Sequence, residues 1–280
     1  MGATLFAWAA PALLPGAPLD HTWVTTYDLR AESLDDEAGT VGAQHYWFCW
    51  GDRHSIGASL GRKTCNIRMA KCLVEPDHDC RSSDAARGTI FVYGFDGVCH
   101  QLANQVLFST HGVDSLPLKV TGAAGYVASV YVYGEYGNRE VHWFSKLNAC
   151  FSGTDFPKPS SPGAVPGHAH SLDRPNSEET TMSTYPDELE KQARIVLQDS
   201  PEKLAKFLTL TIHVRNDARI KQIGAVPPDP DWLNRRNQEY FAEAAKLLGQ
   251  TDFQRIFGFA SEQPVFLVDP KFAAHGLLKR

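Results

Sequence analysis

Among the six cysteines of the chain, one stands where its surroundings can activate a thiol. In the run Arg87-Gly-Thr-Ile-Phe-Val-Tyr93-Gly94-Phe95-Asp96-Gly97-Val98-Cys99-His100-Gln101 a short β-rich stretch stops at Gly94. Asp96 and Gly97 make a turn, and the apolar spacing of Val98, Leu102, Ala103, Val106 and Leu107 predicts a helix over 98–110. Cys99 then falls in the first helical turn. Unpaired backbone N–H groups and the positive end of the helix dipole lower a thiol's pKa there, and only the thiolate is a strong nucleophile. The same N–H groups can hold an oxyanion when the sulfur attacks a carbonyl. Gly97 lets a substrate come close to the backbone. For any single cysteine, the competing reading is a buried and inert thiol.

A nucleophile needs a base. His100 adjoins Cys99, but consecutive helical residues do not face each other. His100 and Gln101 are therefore expected as substrate contacts, with Asn104 polar one turn on. The first candidate base is His21, which opens the aromatic, β-branched strand Asp20-His-Thr-Trp-Val-Thr-Thr-Tyr27. His45, in a second strand over 44–50, is the third polar member that would orient it. The alternative base is His142 in Glu140-Val-His-Trp-Phe144, with Asp155 or another downstream acid to orient it. Each lone strand histidine also admits a purely structural reading.

Around these residues the chain reads as α+β. Residues 1–19 form an apolar arm interrupted by Pro11 and Pro15, lacking the basic residues that open an export signal. A catalytic core is expected over 20–151, with an irregular insertion at 51–88. Extended stretches at 116–121, 125–134 and 140–144 suggest a meander of strands. Residues 152–186 are rich in Pro, Ser, Gly and Thr, as in a linker or lid, and include His168 and His170. Helices follow over 187–280. The first has acidic residues early and basic ones late; the second starts at Ser200-Pro201; the third runs from Asp231 to Gly249.

Composition narrows the function classes. A net charge of −5, with no Lys/Arg-rich stripe, gives no footprint for nucleic acid. No stretch approaches the roughly 20 apolar residues of a membrane span. A cytoplasmic protein acting on a small-molecule or peptide substrate is expected, without a cofactor; the sequence leaves its oligomeric state open. Cys65, Cys72, His78 and Cys80 cluster, but at spacings wider than a zinc knuckle. Free thiols are expected there and no metal, with a zinc enzyme as a minor alternative.

A strand histidine early in the chain, a polar residue on the next strand, then a cysteine at a helix start is the order His21, His45, Cys99. It resembles the circularly permuted NlpC/P60 branch of the papain-like superfamily, which includes amidases, peptidases and lecithin:retinol acyltransferase-like enzymes. Gly97-Val98-Cys99-His100-Gln101 stands where that branch usually has Asn-Cys or Asp-Cys-Ser. The resemblance covers roughly residues 20–145. It implies an antiparallel sheet packed on the cysteine-bearing helix, here with a C-terminal helical extension, and a cysteine hydrolase or acyltransferase working through an acyl-thioester. If His142 is the base, the order becomes that of unpermuted NlpC/P60 or transglutaminase-like enzymes. The reading from another class is a non-catalytic binding protein using an aromatic surface around Trp47, Trp50, Tyr131 and Tyr133.

Overall fold

The computed structural model describes residues 6–11, 19–25, 47–48, 71–74, 93–108, 118–138, 140, 186–221 and 229–269. They form a mixed α/β molecule with a small antiparallel sheet. The strands β1 (Phe6–Pro11), β2 (Asp20–Thr25), β3 (Trp47–Phe48) and β4 (Lys71–Val74) lie in the order β3-β2-β1-β4. Residues 6–11 of the N-terminal run, expected as an apolar arm lying on the domain, thus form an interior strand of the sheet. Its alanines and Trp8 are buried, and Trp8 lies directly opposite the fully buried Trp23. β4 lies inside the stretch expected as an irregular insertion and extends the sheet past β1.

The helices are α1 (Cys99–Phe108), α2 (Tyr126–Tyr133), α3 (Glu188–Val196), α4 (Pro201–Arg215), α5 (Ala218–Lys221), α6 (Pro230–Leu248) and α7 (Gln250–Phe257). α1 begins at Cys99, one residue after the start its apolar spacing predicts, and packs on β2. The segment 125–134 departs from expectation. Tyr126-Val-Ala-Ser-Val-Tyr-Val-Tyr133 has the β-branched and aromatic composition of a strand, yet it is α2. Every one of its residues except Val127 is buried, because it packs on α1 and on α3, α4 and α7. Packing on several sides overrides a weak β preference. Gly125 and Gly134, with φ of 76° and 75°, turn the chain at its two ends.

The burial of α2 also joins the two halves of the chain. Tyr131 stacks on Phe207 and meets the edge of Phe257, which contacts Phe241, Phe253 and Phe259. One hydrophobic cluster runs from Ala7 in β1 to Val268. Tyr131 and Tyr133, which the alternative binding-protein reading would place on an aromatic surface, are core residues with 0% and 1% exposure.

Candidate functional site

The site is built where β2 meets the start of α1. Within the described residues β3 pairs only with Val24 and Thr25. The Asp20 backbone turns away from β1: its N–H donates to Ala124 O at 3.0 Å and its carbonyl receives side chains of α1. The His100 Nε2–H reaches that carbonyl at 3.0 Å, and the Cys99 thiol reaches the same oxygen at 3.9 Å. The start of α1 thereby satisfies the Asp20 carbonyl with side-chain donors. The Asp20 carboxylate accepts from Ala124 N at 2.9 Å and lies 3.5 Å from Lys71, tying the start of β2 to β4.

Cys99 opens α1, and the backbone amides of Cys99, His100 and Thr22 face its sulfur, with the Thr22 hydroxyl nearby but not hydrogen-bonded to it. Those donors favour the thiolate. Burial opposes them and wins, pushing the thiol up to about 11. The resting sulfur is a protonated thiol.

His100 has a defined tautomer. A carbonyl can only accept, so Nε2 carries the proton, and Nδ1 is the acceptor 2.9 Å from the Ser129 hydroxyl, whose single proton is shared between it and Tyr126 O at 2.8 Å. The ring pins α1 to β2 and to α2 at once. Burial, opposed by Asp20, brings its pKa down to about 4. His21 is 3% exposed and stacks on Trp23 at 5.6 Å. Burial first, then the nearby His100, lowers its pKa to about 3. His21 and His100 are close enough to feel each other's charge, and Asp20 and Thr22 on either side of His21 touch the Cys99 sulfur.

Gln101, expected to bind substrate, is fully buried and committed within the fold. Its Oε1 accepts from Val98 N at 3.0 Å, half of a capping box, while Nε2 donates to Ser129 Oγ and Gly134 O, both at 3.0 Å. Asn104 accepts from Val120 N and donates to Tyr126 Oη and Glu135 O. Gln105 donates to Tyr136 O at 2.7 Å. The polar side of α1, which a surface helix would turn to water, is instead wired into residues 120–136. Gly97 closes the tight turn before the helix through Gly94 N to Gly97 O at 2.7 Å. That turn needs glycine at Gly94, where φ is 77° and a Cβ would sit 2.7 Å from Val268 Cγ1.

His45, His142, Asp155 and the stretch with His168 and His170 lie outside the described residues. So do Cys65, His78 and Cys80, whereas Cys72 is a half-buried residue of β4 across from Trp8. Among the described residues no His, Cys, Asp or Glu group could hold a metal ion, and no helix is long and apolar enough to cross a membrane.

Sequence reasoning missed Asp20, Thr22 and Ser129. Asp20 and Thr22 were legible as the immediate neighbours of His21. Ser129 was hidden because its helix reads as a strand.

No family model matches the chain, and no curated protein or solved structure matches it either.

Proposed function

We propose that the chain is a thiol-dependent enzyme acting on an amide or ester carbonyl, with Cys99 as nucleophile and His21 as general base. The observation that carries this reading is the seat of the sulfur. It opens a buried helix, faces two of that helix's amides, and rests against the residues flanking His21 on β2.

With the thiol raised to about 11 and His21 lowered to about 3, no thiolate–imidazolium pair exists at rest. Proton transfer therefore accompanies attack instead of preceding it. The Cys99 sulfur bonds to the carbonyl carbon as its proton passes to the His21 imidazole, and the Cys99 and His100 amides take the oxyanion. The carbon–leaving-group bond then breaks, and the leaving group receives that proton. Water or an amine attacks the thioester, giving hydrolysis or acyl transfer. The papain-like, NlpC/P60-like arrangement implied by the order His21, His45, Cys99 belongs to the same proposal.

The competing reading is a non-catalytic protein in which Cys99 is structural. The protonated, enclosed thiol favours it. Hydrolysis of p-nitrophenyl acetate and of a panel of aminoacyl p-nitroanilides separates the two. The enzyme reading expects turnover that is lost in Cys99→Ala and falls roughly a hundredfold or more in His21→Ala. Turnover equal in wild type and Cys99→Ala would make the cysteine structural.

A further inference from the structure

Away from Cys99, α6 carries a buried cation that no carboxylate among the described residues pairs with. Arg236 is 2% exposed. Its Nε and Nη2 both donate to Asn237 Oδ1, at 3.3 and 3.0 Å, and its Nη1 has no hydrogen-bond partner. Trp232 and Tyr240, one turn before and one turn after it on α6, hold their ring centroids 5.6 and 5.5 Å from its Cζ. Among the described residues no carboxylate forms an ion pair with it. Asp217, which meets the Tyr240 hydroxyl, is committed to Arg219 at 2.8 Å.

Aromatic faces attract a guanidinium but do not cancel its charge, and a buried charge without a counter-charge is strongly unfavourable. The Asn237 side chain fills the Nε–Nη2 edge and leaves the end-on Nη1–Nη2 fork. That fork matches two oxygens of one anion. Asn237 is itself anchored through Nδ2 to Tyr133 Oη at 3.4 Å, and Tyr133 donates to Gly94 O at 2.9 Å. Trp232 is partly exposed, which places one wall of the arginine's surroundings at the surface. The guanidinium is thus flanked by aromatic rings, braced by Asn237 along one edge, close to the Tyr133 hydroxyl, and without a hydrogen-bond partner at Nη1.

We infer that Arg236 is the seat of an oxyanion ligand, a carboxylate or phosphoryl group held end-on by Nη1 and Nη2 beside the Trp232 and Tyr240 rings. The site is independent of Cys99 chemistry and stands whether or not that chemistry occurs.

Thermal unfolding of the full chain, at matched ionic strength, tests it with sodium phosphate or sodium formate replacing sodium chloride. The wild type should gain Tm along a saturating curve with at least one of the two anions. Response to phosphate alone assigns a phosphoryl ligand, and response to formate alone a carboxylate. In Arg236→Met the saturable gain should vanish, while the variant in chloride should be at least as stable as the wild type, since an unbalanced charge has been removed. Arg236→Lys, which keeps the charge without the fork, should bind at least about tenfold more weakly. No saturable gain in the wild type, or an equal gain in Arg236→Met, would overturn the inference. So would an Arg236→Met protein that unfolds well below the wild type in chloride, because the aromatic faces would then be satisfying the arginine by themselves.

Discussion

At the scale of single residues, two imidazoles and a thiol are buried where β2 meets α1, and burial is the largest influence on all three protonation states. His21 and His100 are neutral when folded but bind a proton near 6.5 when unfolded. Between those values the unfolded chain holds more protons, so their contribution to stability is complete above pH 6.5 and is lost as pH falls toward 4 and 3. Each contributes a slope of up to about 1.4 kcal/mol per pH unit. Glu140, pushed up to about 7 by burial and then by Glu135, acts in the opposite sense. The histidine contribution is therefore read as a difference: urea unfolding between pH 7 and 4 should show a shallower slope in His100→Gln than in wild type. Equal slopes would mean that His100 is not buried as described. The thiol gives a second prediction. Iodoacetamide labelling of Cys99 should keep accelerating through pH 10, whereas a plateau below pH 7 would signal a preformed ion pair. Sequence placed Cys99 at its helix start correctly. Its expectation of a lowered thiol pKa is reversed, because a helix terminus lowers the value and burial raises it, and only packing decides between them.

At the scale of elements, α1 owes its position to polar side chains as much as to apolar ones. Its apolar face was readable from spacing, but the burial of its other face was not. Gln101, Asn104 and Gln105 look like solvated positions until residues 120–136 are folded over them. Replacing Gln101 with Ala removes the Val98 cap and strands buried partners on Ser129 and Gly134, so a loss of about 1–3 kcal/mol is expected by denaturant unfolding. A change under about 0.5 kcal/mol would mean that the network is not closed. The error over 125–134 has a related cause. Alternating Tyr and Val satisfy a strand's period on paper, while a helix enclosed on several sides has no polar face to betray its own period.

At the scale of the molecule, α2 and the aromatic cluster make the sheet side and the C-terminal helices one core. Sequence separated them into a catalytic core and a helical extension because the composition changes sharply over 152–186; the contacts of Tyr131 with Phe207 and Phe257 cross that boundary. Truncating Phe257 to Ala should cost about 3–5 kcal/mol. Near-ultraviolet signals from Trp8 and Trp23 should be lost in the same transition as helical far-ultraviolet signal. Two separate transitions, with only the helical one shifted by Phe257→Ala, would show that the halves fold independently.

The central claim is that Cys99 forms an acyl-thioester with the help of His21. Peptide mapping by mass spectrometry after brief exposure to p-nitrophenyl acetate at neutral pH reads it directly. The account predicts an acetyl group on Cys99 in the folded wild type and its near absence in the folded His21→Ala variant. An unmodified Cys99 in the wild type, or equal acetylation in both proteins, would contradict it.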